Sequence, residues 1–105
     1  ARQYVKLCEI TNEIQEKYKV KALAIQADVT QEEDCKNIIN QTLYTMGRID
    51  ILINNAGISM RALFRDLDLE VLKQVMDINF WGAVYCTKYA LPELINNNGS
   101  VVAIS

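Results

Sequence analysis

The stretch Ile49-Asp50-Ile51-Leu52-Ile53-Asn54-Asn55-Ala56-Gly57 decides the fold of this chain. Four of its first five residues are apolar and three are β-branched, which reads as a buried strand over residues 49–53. The strand empties into two amides and then two residues with almost no side chain. In an open parallel sheet, ligands bind beyond the carboxyl ends of the strands. Ala56 and Gly57 would let a ligand approach the backbone there, and Asn54 and Asn55 bring donors and acceptors to the same spot. An ordinary Asn/Gly turn can hold the same four residues, so the decision rests on the flanks.

On the amino side, Leu7, Ile10, Ile14 and Tyr18 recur at three- and four-residue steps, predicting an amphipathic helix over about residues 4–18. A short apolar strand is expected over 22–27, ending at Asp28-Val29. Thr30 with Glu33 forms a capping-box pattern for a helix that turns Cys35, Ile38, Ile39, Leu43 and Met46 inward. Gly47 is a left-handed stop for that helix. On the carboxyl side, Asp68 can cap a long helix through about residue 91, with Val71, Leu72, Val75, Ile78 and Tyr85 as its apolar stripe. Pro92 is expected to kink or end it. Asn96 to Gly99 form a turn, and a last apolar strand is expected over 101–104. Helix, strand, helix, strand, helix, strand predicts an α/β fold with right-handed crossovers, a parallel sheet and helices on both faces.

Composition narrows the function. The 105 residues suit one small domain or part of a larger one. Half the residues are hydrophobic, 23% are charged and the net charge is −2, which describes a globular chain unsuited to broad nucleic-acid contact. No apolar run approaches the ~18 residues that span a bilayer. Three scattered cysteines without any histidine argue against a metal site. They are expected to be buried, reduced thiols of an intracellular, cytoplasmic protein, with a membrane anchor upstream of residue 1 left open. The chain lacks an initial Met, opens in a helical pattern and stops in a strand, so both ends read as cut.

Asn54-Asn55-Ala56-Gly57, with Asp28-Val29 before it and Asn79 after it, resembles the short-chain dehydrogenase/reductase family in order and approximate spacing. The resemblance covers nearly the whole chain. It implies a three-layer Rossmann-type fold, with residues 1–105 as a partial dinucleotide-binding domain. It also implies that Asp28 and Val29 hold the adenine, the carboxylate accepting from an exocyclic amine and the valine flanking the ring. Read without the family, Asp28 is first a turn or cap residue before Thr30, since Asp is common in turns. Asn55, Ala56 and Gly57 match the segment under the ribose and nicotinamide. Asn79 matches the asparagine of the family's catalytic tetrad, which locally perturbs the long helix so that its backbone carbonyl holds a water of the proton relay. Asparagine is a poor helix former that competes for backbone hydrogen bonds, which suits a perturbed turn. Gly82, three residues on, would let a neighbour come close.

Cofactor choice is implied at the amino end. Ala1-Arg2 falls where the family's second strand ends, a position where an acidic residue reads the NAD ribose and an arginine reads the NADP phosphate. Arg2 therefore favours NADP(H) over NAD(H), its planar fork matching phosphate.

Two family motifs are not found in the sequence. The Gly-rich turn is expected before Ala1 and the Tyr-x-x-x-Lys pair after Ser105, which itself matches the residue before the catalytic serine. Tyr85 and Lys88 are three apart, not the required four. The segment alone is therefore expected to be inactive. Its parent is expected to move hydride between a nicotinamide and a secondary alcohol or ketone. Ile58, Ser59 and Met60 would wall the substrate pocket, and helix 68–91, with Phe64, Trp81 and Tyr85, would carry a homo-oligomer. A catalytically silent or truncated member that binds nucleotide or a partner chain is the alternative. A phosphoacceptor role for Asp28 lacks the acidic cluster and lysine it needs. The family strand order 3-2-1-4-5-6-7 makes 49–53 and 101–104 neighbours. It leaves 22–27 without a partner inside this sequence, unless that strand moves beside 49–53.

Overall fold

The computed structural model describes residues 3–104, so Arg2 and Ser105 lie outside the described residues. Helix α1 (Tyr4–Tyr18) forms where the apolar periodicity predicts it and ends at Lys19 in the left-handed region, φ 54°. Its apolar face is largely open, with Ile10 and Ile14 both exposed and no residue of the helix buried. Helix α2 (Glu32–Met46) turns Cys35 and Ile39 into the core. Three acidic residues in its first turn, Glu32, Glu33 and Asp34, face the positive end of its dipole. At its other end Gly47 takes φ 86°, and its N–H donates to Leu43 O.

The expected capping box is not formed. Gln31, not Thr30, is the N-cap, and it makes no side-chain cap bond. Thr30 is held instead by Asp28, whose Oδ1 accepts from the Thr30 N–H at 3.0 Å and the Thr30 hydroxyl at 2.8 Å. A local Asp turn has outcompeted the cap for the same hydroxyl.

Strand β1 (Ile51–Asn54) runs parallel to β2 (Ser100–Ala103), Ile51 opposite Ser100 and Asn54 opposite Ala103. Among the described residues these two strands are the whole sheet. Residues 22–27 are not a strand, nor do they move beside β1. A strand exists only through a partner's ladder. In the family order two other strands separate this segment from β1. The sheet is the incomplete one expected.

Alternation along β1 sends Leu52 to the core face and leaves Ile51 and Ile53 open at 62% and 58% exposure. The core is the seam between α2, β1 and the helix α4 (Gly82–Asn96): Ile39, Ile49, Ala90 and Leu94, with Leu43, Leu52 and Tyr89 against them. A radius of gyration of 15.6 Å exceeds the roughly 13 Å of a compact chain this long. The open apolar faces of α1 and β1 account for that shape. Cys35 and Cys86 are buried and Cys8 half-buried, all as free thiols. Burial, then the neighbouring Cys86, pushes the Cys35 thiol up to about 12, so it stays protonated and unreactive. No helix of the described residues is long and apolar enough to cross a membrane.

Pro92 does not end α4, which continues to Asn96. The stop follows Asn96, where Asn98 takes φ 51° and the Gly99 N–H donates to Leu94 O at 2.7 Å. Asn97 Nδ2 donates to Ile49 O at 2.9 Å, and the Ser100 N–H donates to Asp50 O at 2.9 Å. This turn sets the register of the sheet, and glycine is required in it. A Cβ on Gly99 would lie 2.3 Å from Asp50 O and 2.9 Å from Leu94 Cδ2. In the complete protein, Gly99→Ala is expected to destabilise by about 2 kcal/mol, read as a lowered thermal midpoint. Gly47→Ala meets nothing within 4 Å and bears only the left-handed backbone cost, about 1 kcal/mol. Equal melting of the two variants contradicts the register argument.

Candidate functional site

The site is built where β1 ends. Asn54, the last residue of the strand, accepts from the Ile104 N–H through its carbonyl at 3.1 Å and so carries the ladder past β2. Its side chain points with Leu52 toward the helices, and Nδ2 donates to Thr87 Oγ1 of α4 at 3.1 Å. Asn55, Ala56, Gly57 and Ile58 follow as an exposed, irregular segment.

The long helix expected over 68–91 is three pieces. Helix α3 (Leu69–Met76) starts at Asp68, whose Oδ1 accepts from the Glu70 N–H at 2.9 Å as predicted. A π-helical turn (Asp77–Trp81) follows, in which the Gly82 N–H donates to Asp77 O five residues back. Helix α4 then resumes. Asn79 sits in the middle of the π turn, where a perturbed helix was expected. Its Oδ1 accepts from the Ile58 N–H at 2.9 Å, and its Nδ2 donates to Ile58 O at 2.8 Å. A carboxamide is the neutral side chain that offers both a donor and an acceptor in one plane. The pair joins the loop after β1 to the widened turn of the helix, and π turns of this kind recur at functional sites.

Gly82 lies against the other half of the site. A Cβ there would meet Val29 Cγ2 at 2.8 Å and Val29 O at 3.4 Å. The close approach expected of this glycine is therefore made by Val29. Val29 O also accepts from the Cys35 thiol at 3.4 Å. The N–H of Asp28, beside it, donates to Asp34 Oδ2 at 2.8 Å.

The outcome is a cleft of about 250 Å³ lined by Ala27, Asp28, Val29, Ala56, Gly57, Ile58 and Ile78. A larger cleft of about 750 Å³ shares Val29, Ala56, Gly57 and Ile58, and adds Asn55 and Asn79. Asp28, Val29, Asn55, Ala56, Gly57 and Asn79 thus converge, although up to 51 positions separate them in sequence. Arg2 falls outside the described residues. Thr87 and Ile58 were not singled out from the sequence as anchors of this loop. The signal for Thr87 was its spacing, eight residues after Asn79 on one helical face. Ile58 contributes only backbone, which no sequence pattern marks.

Residues 1–105 match the family model described as short chain dehydrogenase. The chain belongs to the short-chain dehydrogenase family. It is 39% identical over 106 aligned positions to 11-beta-hydroxysteroid dehydrogenase 1A of Arabidopsis thaliana, covering 100% of this chain and 30% of that protein. A short-chain dehydrogenase from Streptomyces avermitilis superposes with a TM-score of 0.85 at 30% identity, over 100% of this chain and 38% of the other. The alcohol dehydrogenase of Thermococcus sibiricus, solved with 5-hydroxy-NADP, superposes at 0.94 over 97% of this chain and 43% of that one. At 22% identity, that likeness speaks for the Rossmann-type fold alone. The chain therefore spans about a third of the length of this short-chain dehydrogenase's Arabidopsis relative.

Asn79→Asp tests the clamp. The substitution keeps the acceptor for the Ile58 N–H but sets an oxygen against Ile58 O, where 2.8 Å now separates donor from acceptor. The variant of the complete protein is expected to lose about 2 kcal/mol at neutral pH in denaturant unfolding. Protonation gives the introduced carboxyl a donor, so its folded pKa rises above the unfolded ~3.9. Its stabilising contribution is then present below that value and lost as pH rises through the folded pKa. The deficit against wild type should shrink as pH falls through the raised folded pKa and be smallest below about pH 4; a pH-independent deficit contradicts the clamp.

Proposed function

We propose that the complete protein is a nicotinamide-dependent oxidoreductase that moves hydride between the cofactor and a secondary alcohol or ketone, with NADP(H) favoured over NAD(H). The observation that carries this reading is the single cleft joining Asp28-Val29 to Ala56-Gly57. Its chemistry fits one half of a dinucleotide. A carboxylate and backbone groups suit an exocyclic amine, a valine side chain suits a flat ring, and two small residues allow close approach to the main chain.

In this reading Asp28 and Val29 hold the adenine, and Asn55, Ala56 and Gly57 form the floor under the ribose and nicotinamide. The bound cofactor supplies or accepts the hydride. Asn79 uses its side chain to hold Ile58, and in this reading its backbone carbonyl, in the π turn, binds a relay water. Ile58, Ser59 and Met60 wall the substrate pocket. The named substrate class of the Arabidopsis relative, a hydroxysteroid, is a secondary alcohol on an apolar frame and supports this assignment. Arg2 supports the choice of NADP(H). Residues 1–105 on their own carry no Tyr-x-x-x-Lys pair, so turnover belongs to the complete protein. A homo-oligomer is proposed through 68–91, where the tilted rings of Trp81 and Tyr85 lie 5.9 Å apart between centroids, with the 83% exposed Phe64 just before that stretch.

Fluorescence titration of the complete protein with NADPH and NADH, followed by turnover of a panel of secondary alcohols and ketones, tests the proposal. NADPH is expected to bind about tenfold more tightly, a gap of roughly 1.4 kcal/mol, and Arg2→Ala is expected to erase the preference. Preference for NADH contradicts the role of Arg2. Binding without turnover of any substrate favours the catalytically silent alternative.

A further inference from the structure

We infer that Thr87 is a positioning residue for the cofactor floor, acting from α4 through Asn54, which lines the larger cleft. This rests on the cofactor reading above. The three residues Asn55, Ala56 and Gly57 are exposed and belong to no helix or strand. Left to themselves, three such residues containing a glycine would sample many conformations. They are instead fixed immediately before and immediately after. Before them, Asn54 Nδ2 donates to Thr87 Oγ1 at 3.1 Å. After them, Ile58 exchanges both backbone groups with the Asn79 carboxamide.

Both anchors come from one continuous helical stretch, the π turn and α4. The floor is therefore held as a bridge with two piers on the same support, and its curvature follows the spacing of Asn79 and Thr87. The two piers do different work. Asn79 acts on backbone, whereas Thr87 acts on a side chain whose own carbonyl closes the last ladder bond to Ile104. Thr87 thus couples the end of the sheet to the start of the floor. Asn54 is half-buried, so its amide loses a partner, and gains no easy replacement, when the Thr87 hydroxyl is removed. The floor would then enter the free protein in several arrangements, and a ligand that needs one of them binds more weakly in proportion.

The test uses the complete protein as wild type, Thr87→Val, Thr87→Ser, Asn54→Ala and the Thr87→Val/Asn54→Ala double variant, with NADPH affinity read by fluorescence well below each thermal midpoint. Valine matches threonine in shape but has no acceptor; serine restores it. Thr87→Val is expected to raise the Kd about fivefold, the effect of one net hydrogen bond, and Thr87→Ser to stay within about twofold of wild type. Asn54→Ala in the Thr87→Val background is expected to add little, because both changes break one bond. A purely structural bond would lower the thermal midpoint and leave Kd unchanged, and that result overturns the inference while the cofactor reading stands. Equal weakening by valine and serine, or fully additive losses, also overturns it. A wild-type protein that binds neither NADPH nor NADH overturns the cofactor reading, and this inference with it.

Discussion

The carboxamide of Asn79 closed on both backbone groups of Ile58 is the constraint on which the rest of the site depends. An asparagine within a helix ordinarily destabilises it, and a π turn leaves its backbone groups less well matched than an α turn does. Two hydrogen bonds to a loop that has no ladder of its own offset that cost. Remove them and the loop after β1 keeps its anchor at Asn54 but loses the one at Ile58. The same widened turn brings Gly82 against Val29. One local departure from α geometry therefore aligns the two halves of the cleft, Asp28-Val29 on one side and Ala56-Gly57 on the other.

Much of this was legible in the residues. The helices α1 and α2, the left-handed stop at Gly47, the Asp68 cap and the parallel neighbours β1 and β2 follow from periodicity and from residues with one strong conformational preference. The place of Asn55, Ala56 and Gly57 was legible too, because they follow a strand end on the ligand-binding edge of a parallel sheet, whereas Asp28 and Val29, which follow no strand among the described residues, were legible through the family resemblance. What misled the reading was competition between local options. Thr30 had two uses for one hydroxyl, and the Asp28 turn took it. Pro92 could have ended α4, but its ring sits within a helix whose real stop is the Asn98 and Gly99 turn, fixed by contacts to β1 far away in sequence. The segment over 22–27 has the composition of a strand and not the partner, and composition cannot supply a ladder.

Family membership gives these contacts their meaning. The structure holds the carboxyl edge of a short-chain dehydrogenase sheet, with a floor of small residues and a helix whose disturbed turn clamps it. Electrostatics contribute little at that floor. The ion pairs are exposed, such as Arg48 with Asp50 before β1, and exposed pairs stabilise only weakly. Shape and backbone hydrogen bonding do the positioning. This accounts for the prominence of glycine, alanine and asparagine there.

Amide hydrogen exchange on the complete protein, without and with NADPH, bears most directly on this account. The Ile58 amide should exchange slowly even before ligand is added, because Asn79 already holds it. Residues 27–29 and 55–57 should then gain protection together on binding. An Ile58 amide exchanging at the rate of an open loop, or ligand protection that bypasses both segments, would contradict the claim that the clamped loop is the cofactor floor.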